Sequence, residues 1–125
     1  MNIDQLAVAI EAARIYDFDH DGVTFKIRRP SEGEIRLAYD LSKTETGVVE
    51  ARAWRAILEK NVKGWSGLTA DRILEGSTSD PVEFSAKSLT MLLDERVDFA
   101  DALRDSILEA IGRRRIKLEE ARKNS

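Results

Sequence analysis

The chain lacks cysteine and has a single histidine among its 125 residues. Without cysteine it can form neither a disulfide framework nor a thiolate metal site, and this absence fits a reducing compartment. With His20 as the only imidazole, a paired-histidine metal site is excluded. The sequence also has no glycine-rich phosphate loop, Gly-x-Ser-x-Gly elbow or His-Glu-x-x-His helix. We therefore predict that the protein is not an enzyme and holds no metal or cofactor.

Long apolar runs are missing too. No stretch approaches the roughly 20 apolar residues that span a bilayer, and the first ten residues do not resemble a secretion signal. We expect no membrane association and a cytoplasmic location. The 42% hydrophobic and 34% charged content is enough for one core with a densely charged surface. We predict one globular domain over residues 1–111, followed by a basic helical or frayed tail over residues 112–125.

Charge is distributed unevenly along the chain. Residues 112–125 hold six basic and two acidic side chains, a charge of +4, whereas the whole chain carries −3. The preceding 111 residues are therefore strongly acidic. A domain that binds duplex DNA usually presents a basic face, so we consider nucleic-acid binding unlikely. Because the tail is basic, a small DNA-binding regulator that uses the C-terminal helix remains an alternative.

The segment 17–28 allows two interpretations. Asp17-Phe18-Asp19-His20-Asp21-Gly22 matches the first half of a calcium-binding loop, but the twelfth position is Arg28 instead of the required glutamate. Val23, Phe25 and Ile27 alternate with polar residues, which is typical of a half-buried strand. We favour a β-hairpin with an exposed turn around His20.

Helical spacing and capping signals cover most of the remaining chain. Asn2 with Gln5, Ser31 with Glu34, and Ser85 predict three helix starts, and we expect Asp98 to cap the last helix. A further helix carries Trp54, Ile57, Leu58 and Val62 and is expected to end at Gly64. The predicted fold class is α+β, mainly α, with an N-terminal β-hairpin packed on a small bundle of about four to five helices.

The candidate binding residues are a tryptophan and three arginines. Tryptophan is common at binding hot spots, but Trp54 lies on an apolar helical stripe and is expected in the core. Trp65 could either cap the core or face a partner. Arg113, Arg114 and Arg115 could stabilise a helix C-terminus, or clamp an acidic protein helix or a nucleic-acid backbone.

Four segments in order resemble the tail assembly chaperones of long-tailed bacteriophages and prophages. A short strand leads into the first, Arg28-Arg29-Pro30-Ser31-Glu32-Gly33-Glu34, and the second is Val62-Lys63-Gly64-Trp65-Ser66-Gly67-Leu68. The third, Pro81-Val82-Glu83-Phe84-Ser85, leads into Leu89 and Leu92-Leu93, and the last is Glu119-Glu120-Ala121-Arg122-Lys123-Asn124. Together the four segments span most of the chain. The stretch between Leu68 and Pro81 is longer than in the family.

The resemblance implies a non-catalytic factor in the cytoplasm of a host bacterium. Such a factor binds the long, helical tape measure protein, helps tail tube subunits polymerise around it, and is absent from the finished particle. The resemblance also implies a longer form made by translational frameshifting near the C-terminus. A structural virion protein, such as a head-to-tail connector or a tail terminator, is the second hypothesis. The sequence indicates no particular oligomeric state.

Overall fold

The computed structural model describes all 125 residues as five α-helices and five β-strands. The helices are α1 (Ile3–Arg14), α2 (Glu32–Leu41), α3 (Glu50–Asn61), α4 (Ala86–Glu95) and α5 (Val97–Lys123). The strands are β1 (Ile15–His20), β2 (Val23–Arg28), β3 (Lys43–Thr44), β4 (Gly47–Val48) and β5 (Val62–Ser66). The predicted fold class, α+β and mainly α, is confirmed. None of the five helices combines the length and the apolar character that a bilayer crossing requires.

The predicted hairpin is formed by β1 and β2. Their register places His20 opposite Val23, so Asp21 and Gly22 alone make the turn. Both turn residues have positive φ angles, 49° and 77°, as a type I′ turn requires. The sequence predicted an exposed turn around His20, but the His20 ring is half-buried. It stacks on Phe18 and meets the edge of the Phe99 ring at 5.2 Å.

A third strand replaces the predicted end of α3. The helix stops at Asn61, and Val62–Ser66 forms β5, which pairs antiparallel with the free edge of β2. The buried Asn61 amide donates to the Ile57 carbonyl at 2.8 Å, so this side chain supports the last helical turn. The prediction of a helix through Gly64 is therefore wrong. The free backbone N–H and C=O groups along the β2 edge need partners, and β5 supplies them. This pairing favours a strand at Val62–Ser66 although the spacing of Val62 and Trp65 also fits a helix.

The core lies between the sheet and α3, α4 and α5. Val23, Phe25 and Ile27 of β2 are fully buried, which confirms the alternating pattern of this strand. The helices contribute apolar seams at the expected spacing, and Trp54 lies in the core as predicted. The helical members of this apolar core are Trp54, Ile57, Leu58, Leu89, Leu92, Leu93, Phe99, Leu103, Ile107 and Ile111.

The capping signals are mostly confirmed. Asn2, Ser31 and Ser85 each cap a helix through the backbone N–H three residues later. Asp98 is the exception. Arg96 occupies the cap position of α5, and the Asp98 carboxylate lies in the first turn, where it accepts from the Arg96 guanidinium at 2.9 Å. In the loop between β5 and α4, Ala70–Arg72 forms a short 3₁₀ turn.

Both terminal helical segments extend away from the core. No residue of α1 is buried, and Ile3 is 74% exposed. The last buried residue of α5 is Ile111, and every residue from Arg113 onward is exposed. The helix nevertheless continues to Lys123, about 18 Å beyond Ile111. The basic tail is thus an extension of α5.

Candidate functional site

The three consecutive arginines of the tail do not act as one patch. Successive residues of a helix point about 100° apart. Arg113 pairs with Glu109 of the same helix, whereas Arg115 reaches across to Glu32 of α2. Arg114 forms no ion pair and lies beside Arg29 in a cleft between α5 and the end of β2. The structure therefore places Arg113 and Arg114 on one side of α5 and Arg115 on another.

Trp65 is directed into the protein. Its indole N–H donates to the Val82 carbonyl at 2.8 Å. Its ring makes edge contacts with Phe25 and Phe84, at centroid distances of 6.3 and 4.9 Å. These contacts hold the loop before α4 against β5. They match the core-capping alternative for Trp65, and a role in partner binding stays a prediction.

A cluster of ion pairs fixes α2 on the sheet. Arg28, the last residue of β2, donates to both carboxylate oxygens of Glu34 at 2.9 and 3.0 Å. It also contacts Glu11 of α1 and the Asn61 side chain of α3. Hydrogen bonding from Arg28, together with the backbone N–H of Ser31, lowers the pKa of Glu34 to about 2. Four segments of the chain therefore meet at the N-terminal end of α2.

Beyond this cluster, α2 exposes two leucines. Leu37 is 57% exposed and Leu41 is 77% exposed, although their helix contributes Ile35, Ala38 and Tyr39 to the edge of the core. Leu37 and Leu41 are four residues apart, so they lie on the same side of α2. The sequence prediction located this helix from its capping box but did not assign its leucines to a binding face. The second stripe of leucines is the signal that it missed.

The two leucines border a groove between α2 and α3. Its volume is about 290 Å³, and its apolar lining consists of Pro30, Leu37, Ala38, Leu41, Ala56 and Ile57. Arg52 and Lys60 of α3 and Glu34 of α2 lie at its polar edges. Arg52 makes no ion pair, whereas Lys60 is 3.4 Å from Glu34. The groove can accommodate a few apolar side chains and offers a cation for an acidic neighbour.

A second groove lies on the other side of α2. Ile35 and Tyr39 of α2 face Leu108 and Ile111 of α5 across a cleft of about 430 Å³. Arg115 lies at its rim, where it pairs with Glu32. Helix α2 therefore has a groove on each side and no fully buried residue. Apolar contact with a charged rim is the chemistry by which a groove accepts an amphipathic helix.

Neither a family of known proteins, nor a curated protein, nor a solved structure matches this chain.

Proposed function

We propose that the protein is a non-catalytic tail assembly chaperone of a long-tailed phage or prophage. Its client is the helical tape measure protein, which it shields in the host cytoplasm while tail tube subunits assemble. The resemblance of four ordered segments supports this role. The observation that carries the proposal is the exposed pair Leu37 and Leu41 in a domain with a well-packed core. The pair borders the groove between α2 and α3, which we call the client groove.

The exposed leucines are a source of binding free energy. Full burial of a leucine side chain contributes about 1.5–3 kcal/mol, so the pair has enough apolar surface for a reversible complex. A chaperone must release its client, and two anchoring side chains suit a transient contact better than a large apolar interface does. Leucines at a spacing of three or four residues on the client helix would enter the groove beside α2.

Co-expression with the tape measure protein of the same phage or prophage tests the proposal. We expect the client to become soluble and to elute with this protein in size-exclusion chromatography. Unchanged client solubility together with the absence of a complex would contradict the proposal. Purified phage particles provide the second readout, because a transient chaperone is missing from them. A stoichiometric amount of the protein in particles would favour the structural virion alternative instead.

A further inference from the structure

A third groove, distinct from the client groove, lies between β1 and α5. We call it the β1–α5 groove, and its volume is about 620 Å³. It is lined by Ala13, Arg14, Tyr16, Asp17, Phe18, Arg29, Ser106, Glu109, Ala110, Arg113, Arg114 and Lys117. Five of these side chains are cationic and two are carboxylates, although the chain as a whole is acidic. The groove is therefore a local concentration of positive charge on an acidic protein.

The spacing of residues on α5 explains this concentration. Lys117 lies three positions after Arg114 and four after Arg113, so it neighbours both on α5, and all three side chains line the groove. They continue the stripe that begins at Ser106, whose hydroxyl is hydrogen-bonded to the Tyr16 hydroxyl at 2.9 Å. This hydrogen bond fixes β1 against α5. The hydrogen bond thereby holds β1 along one side of the groove, opposite the cationic side chains of α5.

Several of the cations have no carboxylate partner. Arg29, Arg114 and Lys117 take part in no ion pair, whereas Arg113 pairs with Glu109, and Arg14 shares Glu34 with Arg28 and Lys60. Arg29 is half-buried, and burial together with the nearby charges of Arg114, Arg14 and Arg28 holds its pKa below the usual range. The Nε–H of Arg14 is also buried without an acceptor. An anion bound between Arg29 and Arg114 would relieve this repulsion.

The groove also has features that would orient a bound chain. The rings of Tyr16 and Phe18 and the methyl group of Ala110 give it apolar surface. Guanidinium groups bind carboxylates through paired, charge-assisted hydrogen bonds, and two arginines from different elements can hold one carboxylate between them. The groove thus combines a carboxylate-binding centre with contact surface for the neighbouring methylene groups.

We propose that the β1–α5 groove binds an acidic segment of a protein partner, with its glutamate or aspartate carboxylates held between Arg29 and Arg114. The charge pattern favours a protein over a nucleic acid. Asp17 and Glu109 interrupt the positive surface, and the rest of the chain would repel a long polyanion. This site does not depend on the tail assembly role, because the client groove and the β1–α5 groove share no lining residue.

Fluorescence anisotropy with a labelled poly-glutamate peptide at low ionic strength tests the proposal. We expect saturable binding that the double variant Arg29→Gln/Arg114→Gln weakens by about tenfold or more, since it removes two charge-assisted contacts. The matched control is Lys63→Gln/Lys87→Gln, which removes the same charge from two exposed lysines that form no ion pair. This control should bind the peptide within about twofold of the unmodified protein.

Three results would overturn the proposal. One is the absence of saturable peptide binding. Another is an equal loss of affinity in both double variants, which would indicate a general charge effect. The third is tighter binding of an oligothymidine of equal charge, which would make the groove a nucleic-acid site. Should the groove variant fail to fold, as judged by circular dichroism, NMR of the unmodified protein decides. The peptide must then shift the guanidinium resonances of Arg29 and Arg114 and leave that of Arg52 in place.

Discussion

Arg28 and Glu34 form a two-point ion pair that joins the end of β2 to the first turn of α2, with donor–acceptor distances of 2.9 and 3.0 Å. The five residues between them contain Pro30, which ends the strand, and Ser31, which caps the helix. The ion pair therefore closes a short loop and sets the direction in which α2 leaves the sheet. The position of both grooves beside α2 depends on that direction.

This relationship predicts a specific pH dependence of stability. Glu34 has a pKa of about 2 in the folded protein, below its ordinary value of 4.5. The folded state thus binds fewer protons than the unfolded state between these values, and the stabilisation is present above pH 4.5 and lost as the pH falls toward 2. We expect Glu34→Gln to lower the free energy of unfolding by about 2 kcal/mol at neutral pH. The difference from the unmodified protein should shrink steadily in acid.

Urea unfolding at a series of pH values measures this difference. Glu45→Gln is the matched control, because Glu45 is exposed and forms no ion pair. The control should leave the free energy of unfolding within about 0.5 kcal/mol at every pH. A constant difference between Glu34→Gln and the unmodified protein down to the lowest pH would contradict the ion-pair account.

Gly67 and Gly76 provide a second prediction. Both have positive φ angles, 83° and 77°. A Cβ atom at Gly67 would lie 2.7 Å from the backbone oxygen of Gly22, whereas a Cβ atom at Gly76 would meet nothing within 4 Å. Replacement of Gly76 by alanine therefore carries only the conformational cost of about 1 kcal/mol. Replacement of Gly67 should cost clearly more, because the hairpin turn has to move.

Thermal unfolding of Gly67→Ala and Gly76→Ala compares the two sites directly. We expect the larger decrease in melting temperature for Gly67→Ala. Equal decreases would mean that the turn at Gly22 yields freely, so that the close approach of Gly67 is not a constraint on the fold.

Trp65 gives a third prediction, which separates its two roles. Its indole N–H and its ring contacts are all made within the chain. Trp65→Phe removes the hydrogen bond to the Val82 carbonyl and should lower the free energy of unfolding by about 1 kcal/mol. Client binding by the folded variant should be unchanged. A large loss of client affinity in a fully folded Trp65→Phe variant would instead show that Trp65 contacts the partner.

Local signals in the sequence account for much of the fold. The capping boxes at Asn2 and Ser31, the turn residues Asp21-Gly22 and the alternation in β2 involve residues within six positions of one another. The groups that stabilise these elements are neighbours along the chain, so a short stretch of sequence is enough to identify them. The β-hairpin and three helix starts could therefore be located without a structure.

The features that escaped the sequence depend on distant partners. Val62 and Trp65 fit a helix and a strand equally well, and only the free edge of β2, whose residues pair with β5 from 35 to 42 positions earlier in the chain, favours the strand. Arg29 and Arg114 are separated by 85 positions, so their proximity follows from the packing of α5 and not from a motif. The amphipathic pattern of α1 predicts an apolar face. It does not reveal that this chain leaves that face uncovered.

We propose that Leu37 and Leu41 hold the client helix, and isothermal titration calorimetry with a soluble tape measure fragment measures their contribution to its affinity. Both side chains are mostly exposed, so Leu37→Asp/Leu41→Asp should leave the free energy of unfolding nearly unchanged. The control, Leu74→Asp/Met91→Asp, alters two exposed apolar residues outside the groove. We predict that the groove variant binds the fragment at least about tenfold more weakly, while the control keeps its affinity. Equal affinity for the groove variant and the unmodified protein would contradict the account.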